Sequence, residues 1–143
     1  MEGKYGIYKR RMNYYETDQM GIIHHSNYIR LFEEARLGMM DKEGISYESI
    51  EEMGIIIPVM SVECHYLIPL HYNDSIEVYS QLTKFDGIKM ELSYEIYKEG
   101  STRVYTEGNT KHCFLDKDMK PFRMKKLYPG LYNKFKEMVI NRQ

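Results

Sequence analysis

The chain has 143 residues, a length that suits one ordinary domain with a single hydrophobic core over 1–143. Hydrophobic residues make up 43% and charged residues 29% of the sequence, which is a globular composition and argues against disorder. The net charge of −1 creates no positive field for nucleic acid, and the longest apolar stretch, 55–60, is far too short to cross a bilayer. We therefore expect no nucleic-acid partner and no membrane span.

Two features of the sequence favour a cytoplasmic protein. Its only cysteines, Cys64 and Cys113, cannot form a disulfide framework, as expected for a reducing compartment. The first residues contain no apolar signal core, so export is not indicated.

The first predicted element is a strand over 4–12, where Tyr5 and Ile7 alternate with their neighbours. From 14 to 27 the periodicity stops and the chain becomes polar. Long loops inside small domains usually carry function, so this loop is the first place to look for a site.

A long helix is predicted after the loop. Ser26 or Asn27 could cap it, because either side chain can accept a hydrogen bond from an unpaired N–H of the first turn. Gly44 can adopt the left-handed conformation that ends it, and a second helical turn over 46–53 is closed by Gly54. The long helix carries an apolar stripe that must be buried, formed by Tyr28, Leu31, Phe32, Ala35 and Met39.

The pattern after Gly54 changes to strands, and Asp86-Gly87 is a strong hairpin signal between two of them. One face of the strand that follows this turn should be buried, with Ile88, Met90, Leu92, Tyr94 and Ile96. The remaining predicted elements are extended segments over 55–68, 75–85 and 102–115, with Pro58 marking a bend or bulge, and a final helix over 129–139.

This order of elements predicts an α+β domain, because the long helix has to bury its stripe against one face of an antiparallel meander. The aromatic residues are 14 Tyr and 5 Phe with no Trp. Tyrosine suits half-buried strands and interfaces, so we expect a sheet-rich protein that associates with itself.

The segment 15–28 carries a composite motif, YETDQMGIIHHSNY. It contains a loop acid, a Gly three residues later, two hydrophobic residues, two His and an Asn-Tyr pair that opens the helix. This motif resembles the signature of 4-hydroxybenzoyl-CoA thioesterase-like hot-dog hydrolases, and the similarity continues through 31–36. The resemblance implies the hot-dog fold, in which a curved antiparallel sheet wraps a long central helix, and it implies acyl-CoA thioesterase activity.

The chemistry of thioester hydrolysis explains the motif. The reaction needs a carboxylate near the carbonyl carbon and hydrogen-bond donors for the developing oxyanion. Asp18 can supply the carboxylate, the free N–H groups at the start of the helix near His25 can supply the donors, and Gly21 allows a tight turn between them. The resemblance implies that Asp18 is catalytic, as nucleophile or as base, and that the His25 backbone N–H polarises the thioester carbonyl.

The alternative interpretation of Asp18 is structural, because an Asp three residues before a Gly is often a turn residue that binds nearby backbone N–H groups. The other residues of this stretch are candidates for binding the substrate. We expect no metal, because the side chains of His24 and His25 diverge and no further ligand accompanies them. No separate cofactor is expected either, since coenzyme A is part of the substrate. The substrate-binding candidates of the loop are Tyr15, His24, Ser26, Asn27 and Tyr28.

Helix acids are the alternative to Asp18, because a related hot-dog subfamily carries its catalytic acid on the central helix. The apolar stripe leaves Glu33 off the core face and Glu34 on its margin. Thiol catalysis is not expected, because the neighbouring pairs Cys64-His65 and His112-Cys113 lie in strands, where consecutive side chains point to opposite faces.

A basic cluster lies between 111 and 126, with six Lys or Arg residues against two acids. Its simplest interpretation is a solvated turn. Its functional interpretation is a surface for the phosphates of coenzyme A, joined by Lys84 and Lys89 beside the hairpin turn. The cluster consists of Lys111, Lys117, Lys120, Arg123, Lys125 and Lys126.

The sequence thus predicts an acyl-CoA thioesterase, and the resemblance implies a homodimer or homotetramer with the acyl pocket between two subunits. Two alternatives stay open. One is a thioesterase for acyl groups on acyl carrier protein, docked by the basic cluster. The other is a non-catalytic acyl-binding module of the hot-dog fold.

Overall fold

An antiparallel sheet and a long helix on one of its faces form the core of the protein, in a computed structural model that describes residues 5–139. The strand order is β1-β3-β4-β5-β2. The strands are β1 (Tyr5–Arg11), β2 (Val59–Tyr66), β3 (Ser75–Phe85), β4 (Lys89–Lys98) and β5 (Thr106–Cys113), and the helices are α1 (Ser26–Lys42), α2 (Tyr47–Glu52), α3 (Met124–Leu127) and α4 (Pro129–Met138). The predicted α+β hot-dog architecture is confirmed.

Helix α1 buries the predicted stripe against the sheet. The ring of Phe32 stacks on Tyr94 of β4 with a centroid distance of 4.4 Å. Gly108 of β5 makes this close approach possible, because a Cβ at that position would lie 2.8 Å from the Phe32 ring and 2.5 Å from the Glu63 carbonyl oxygen. The sequence of β5 therefore determines how closely the helix approaches the sheet.

The hairpin between β3 and β4 turns at Asp86-Gly87, as predicted, with Gly87 at φ 87° and the Asp86 carboxylate accepting the N–H groups of Ile88 and Lys89. Ile88 was expected to be buried and is 51% exposed, so that expectation is wrong. The residue belongs to the turn, and β4 begins one position later.

Strand β2 lies at the edge of the sheet and pairs only with β5 among the described strands. A bulge between Val59 and Ser61 follows Pro58, as the sequence predicted. Strand β5 begins at Thr106, so residues 102–105 do not extend it as we expected.

The C-terminal segment covers the end of the sheet near the β3–β4 turn. Helix α4, predicted over 129–139, buries Leu131, Phe135 and Met138. The Phe135 ring lies 5.2 Å from Phe85 and 5.3 Å from Phe114, between centroids. The short helix α3 was not predicted from the sequence. Among the described residues, no helix is long and apolar enough to cross a membrane.

Candidate active site

The loop before α1 folds back on itself as a small antiparallel ladder. The Asp18 N–H donates to the Ile22 oxygen at 2.8 Å, Thr17 pairs with Ile23, and the His24 N–H donates to the Glu16 oxygen at 2.8 Å. Gly21 closes the turn at φ 80°, a left-handed conformation that favours glycine. The ladder holds the Asp18 segment alongside the residues that lead into the helix.

Asp18 is half-buried, and one of its carboxylate oxygens is fixed by the turn. Oδ1 accepts the N–H of Met20 at 2.8 Å and that of Ile22 at 3.4 Å. These are the local backbone bonds expected of a turn residue. Among the described residues, Oδ2 has no hydrogen-bond partner, so one oxygen remains available for chemistry.

The start of α1 is capped differently from our prediction, which named Ser26 or Asn27. His25 occupies the N-cap position, and its side chain makes no capping bond. The ring Nδ1 of His24 accepts the Ser26 N–H at 3.1 Å and lies 2.8 Å from the Ser26 hydroxyl. The two histidine rings stack with centroids 4.2 Å apart, so the expectation that these side chains diverge is wrong. The predicted cap is therefore wrong, because the folded loop delivers an acceptor from outside the helix.

The His25 N–H is the free donor at this helix end. The N–H groups of Asn27 and Tyr28 donate to the oxygens of His24 and His25, at 3.0 and 3.2 Å. No acceptor within residues 5–139 uses the His25 N–H. An unpaired N–H at the positive end of a helix dipole is suited to stabilise a negative oxygen.

An ion-pair network connects the loop to β1 and α1. Glu16 is buried, accepts the Asn13 N–H at 2.8 Å and pairs closely with Arg10. Arg10 also pairs with Glu34 at 3.2 Å, and Glu34 accepts the Tyr8 hydroxyl hydrogen at 2.7 Å. Burial, followed by Glu34, raises the pKa of Tyr8 to about 12.

The two helix acids considered as alternatives to Asp18 have different surroundings. Glu34 takes part in the ion-pair network under the loop. Glu33 is exposed and lines a cavity of about 260 Å³ together with Arg36 and Val59. Neither acid shares the loop of the His25 N–H.

Beside Tyr28, a predicted candidate, strand β2 adds the side chain of Tyr66, which the sequence did not reveal. The buried Tyr28 ring meets Tyr66 edge to face at 4.9 Å, and the Tyr66 hydroxyl donates to the His25 oxygen at 3.4 Å. Burial raises the pKa of Tyr28, and nearby Cys64 and Asp18 raise it further. Burial and Cys64 likewise raise the pKa of Tyr66 to about 12. Spacing of two along β2 could have shown that Cys64 and Tyr66 share a face, but not which element that face meets.

The remaining loop candidates divide into exposed and buried residues. Tyr15 is 81% exposed, and its hydroxyl accepts from the Asn13 side chain at 3.0 Å. Ser26 is exposed beside His24, whereas Asn27 is buried with its side-chain amide bound to backbone oxygens. Direct substrate contact by Tyr15, Ser26 and Asn27 stays a prediction.

The basic residues lie at the other end of the sheet. Lys84 forms an ion pair with Glu91 at 3.7 Å on the face away from α1, where it lines a groove of about 550 Å³ with Lys111. A second groove, of about 380 Å³, runs beside the hairpin turn and is lined by Arg123, Lys125 and Lys126. Lys84 is near the end of β3, whereas Ile22 of the loop pairs with His71, just before β3. At the usual rise per residue of a strand, the length of β3 separates Lys84 from the loop by roughly 30 Å.

The cysteine–histidine pairs have the predicted geometry. His112 is buried, whereas Cys113 contacts the sulfur of Met60 at 3.5 Å. Both cysteines are free.

Within the described part of the chain, no group of three or more His, Cys, Asp or Glu residues could hold a metal ion.

Comparisons with known proteins show the family and the fold of the chain. A family model described as the thioesterase-like superfamily matches residues 12–135. A protein of Aquifex aeolicus, provisionally named an esterase, is 39% identical over 109 residues, which are 76% of this chain and 84% of that protein. A Bacillus subtilis protein provisionally named acyl-CoA thioesterase YneP is 29% identical, over 88% of this chain and 91% of its own. Among solved structures, a DHNA-CoA thioesterase from Staphylococcus aureus superposes with a TM-score of 0.87 and 32% identity, covering 92% of this chain and 89% of that one.

Proposed function

The chain belongs to the thioesterase-like superfamily and hydrolyses the thioester bond of acyl-CoA, and from this premise we propose that Asp18 is its catalytic carboxylate. The observation that carries the assignment is the shared loop: Asp18 and the free His25 N–H are joined by one short ladder that ends at the start of α1. The free oxygen of Asp18 has one of two roles. It attacks the thioester carbonyl carbon, so that the C–S bond breaks, the coenzyme A thiolate leaves and water hydrolyses the resulting anhydride, or it takes a proton from a water molecule that attacks the same carbon and displaces the thiolate. The superfamily match is broader than the 4-hydroxybenzoyl-CoA thioesterase-like family that the motif resembles, and we propose that narrower membership as well.

The His25 N–H has the second role. As the carbonyl carbon becomes tetrahedral, negative charge develops on its oxygen, and a fixed N–H donor at the helix terminus stabilises that charge. Gly21 contributes by allowing the turn that brings Asp18 back along the loop. The buried Tyr28 ring and the Tyr66 ring against it form an apolar surface beside the start of α1, and this surface suits the acyl group.

The test is a panel of acyl-CoA esters assayed for release of free thiol. The panel includes aromatic esters, because the Staphylococcus aureus structure is of a DHNA-CoA thioesterase, and aliphatic esters of increasing length. Asp18→Asn keeps the shape of the side chain and removes its charge, so kcat should fall by roughly two to four orders of magnitude with the fold intact. Undiminished turnover in this variant would remove Asp18 from the mechanism.

We propose that the working enzyme is a homodimer built through the edge strand β2. The strand exposes apolar side chains, and its backbone can pair with a second copy in an isologous arrangement. Antiparallel pairing of two β2 strands would set the Tyr66 end of one protomer beside the Val59 end of the other. Each Asp18 loop would then lie near the partner's half of the sheet. The resemblance also implies a tetramer of two such dimers as the alternative assembly.

The dimer would also explain how basic residues that lie far from the Asp18 loop of their own protomer can contribute to an active site. They would lie close to the Asp18 loop of the partner. We propose that Lys84 and Lys89, with the basic cluster around Arg123, hold the coenzyme A phosphates of the site formed with the partner's loop. Charge-reversing Lys89→Glu should raise KM for acyl-CoA several-fold and leave kcat nearly unchanged. The same KM for the variant and the parent protein would exclude Lys89 from phosphate binding.

We further propose that catalysis needs no added metal or cofactor, since the carboxylate and the N–H donor supply the required chemistry. Prolonged dialysis against a chelator should leave kcat unchanged. The two free cysteines suit a reducing compartment, and we infer a cytoplasmic location.

A further inference from the structure

The side chain of Asn27 is connected to the peptide group that carries the His25 N–H. Its Nδ2 donates to the Glu16 oxygen at 2.9 Å and to the His24 oxygen at 3.3 Å. The backbone N–H of Asn27 donates to the same His24 oxygen at 3.0 Å. The His24 carbonyl is thus held by two donors from one residue.

The His24 carbonyl and the His25 N–H belong to one peptide group. A peptide bond is planar, and in its trans form the oxygen and the amide hydrogen point in opposite directions. None of the described peptide bonds is cis. Fixing the direction of the His24 oxygen therefore fixes the direction of the His25 N–H, the proposed oxyanion donor.

Asn27 is itself held in place. It is only 5% exposed, and its Oδ1 lies 3.4 Å from a guanidinium nitrogen of Arg30. The Glu16 oxygen accepts both the Asn27 amide and the His24 N–H. The Glu16 carboxylate in turn pairs with Arg10 of β1. Glu16 therefore connects the sheet, through its carboxylate, to the peptide group between His24 and His25, through its backbone oxygen and Asn27.

We propose that Asn27 is a positioning residue for thioester hydrolysis, whose side-chain amide directs the His25 N–H at the developing oxyanion. This role rests on the proposed function of the His25 N–H, and it acts through the backbone instead of the substrate contact expected from the motif. An N–H stabilises the oxyanion well only when it is aligned before the reaction, so the contribution of Asn27 should appear in kcat and not in KM.

The kinetic test uses three substitutions of Asn27 and one matched control. Asn27→Ala removes the amide, Asn27→Asp keeps its shape without the N–H donor, and Asn27→Ser provides a hydroxyl that can donate to the carbonyl three residues earlier. Ser46→Ala is the control: it removes the cap of α2, where the Ser46 hydroxyl accepts the Ser49 N–H at 3.1 Å, and it destabilises a helix start away from the loop.

We expect kcat on the best ester of the panel to fall roughly ten- to a hundredfold in Asn27→Ala and Asn27→Asp, with KM changed less than about threefold. Asn27→Ser should retain more activity than Asn27→Ala. Ser46→Ala should lower the melting temperature and leave kcat unchanged. If Asn27→Ala does not fold, Asn27→Ser carries the comparison, with a kcat below that of the parent protein.

A spectroscopic measurement separates positioning from a general loss of structure. The same ester, labelled with ¹³C at its carbonyl, is bound to Asp18→Asn protein, and the carbonyl stretch is recorded by infrared difference spectroscopy. A donor aligned with the oxygen should lower this frequency relative to the free ester, and adding Asn27→Ala should move the frequency back toward the free value.

The outcomes distinguish the two proposals. A normal kcat and an unchanged carbonyl frequency in the Asn27 variants would overturn the positioning role and leave the Asp18 site intact. A carbonyl frequency in Asp18→Asn protein equal to that of the free ester would show that the His25 N–H is not a donor. The proposed oxyanion site and the role of Asn27 would then fail together.

Discussion

His112 is a histidine that the fold keeps neutral. It is buried in the sheet with its Nε2 2.8 Å from the Thr110 hydroxyl, which lies 2.7 Å from the Tyr94 hydroxyl. Tyr94 accepts from Arg36 of α1 at 3.1 Å. Burial, reinforced by the Arg36 charge, lowers the pKa of His112 to about 4. These hydrogen bonds connect Arg36 of the helix, the only charged group among them, to three neutral side chains of the sheet.

The low pKa of His112 predicts a loss of stability in acid. Between about pH 6.5 and pH 4 the unfolded chain binds a proton at this histidine and the folded chain does not, so stability falls as the pH falls through that window. The loss from this residue should reach at most about 3 kcal/mol. Urea unfolding from pH 7 to pH 4 would measure it. His112→Gln should show a shallower slope, and an identical slope would contradict the assignment.

Gly108 offers a prediction at the level of the helix–sheet contact. A Cβ there would lie 2.5 Å from a backbone oxygen of β2, which cannot move without disturbing the strand pairing. Gly108→Ala should therefore lower the free energy of unfolding by about 2–3 kcal/mol. Chemical denaturation of the variant is the measurement.

Gly38 supplies the matched control for Gly108. It lies within α1, and a Cβ at this position would meet no atom within 4 Å. Gly38→Ala should raise stability by about 0.5–1 kcal/mol, because alanine is the better helix former and has fewer unfolded conformations to lose. Equal destabilisation by both substitutions would contradict the packing argument.

The cap of α2 gives a second prediction at the level of an element. Ser46 was predicted to begin this short helix, and its hydroxyl does accept the Ser49 N–H. Ser46→Ala should cost about 1 kcal/mol of stability. Thermal unfolding would measure the loss, and an unchanged melting temperature would show that the cap contributes nothing to global stability.

For the whole molecule, the edge strand β2 predicts association. Val62 lies at the middle of β2 and is partly exposed. Placing a charge there, as in Val62→Asp, should dissociate the dimer and lower thioesterase activity with it, because each site is proposed to need both protomers. Analytical ultracentrifugation of the variant and of the parent protein is the direct measurement. A monomeric parent protein with full activity would contradict the dimer.

Elements whose signal is local could be predicted from the sequence. The stripe of α1, the alternation of β4 and the Asp86-Gly87 turn depend on neighbours along the chain. All three were found, with Ile88 as the one exception at the start of the β4 pattern. The catalytic role of Asp18 was inferred from the motif and stays a prediction. The role of His24 as helix cap, by contrast, depends on the ladder that turns its ring toward Ser26, so no short sequence pattern could show it.

Features that depend on strand order were beyond the sequence. Tyr66 contacts Tyr28 because β2 lies beside β5 at the edge of the sheet. Lys84 is far from the Asp18 loop because it lies near the end of β3, whereas the loop pairs with the residues just before β3 begins. Neither relation follows from alternation within one strand. Helix α3 was missed because its four residues are too few to show a helical period.

The open backbone of β2 has a consequence for handling the protein. The outer edge of a strand with apolar side chains is a template onto which any extended chain can add, so a single protomer is prone to ordered aggregation. Glu63 and His65 oppose this by placing polar groups on one face of the strand. Dilution of the proposed dimer below its dissociation constant should therefore lead to precipitation on standing instead of a stable population of single chains.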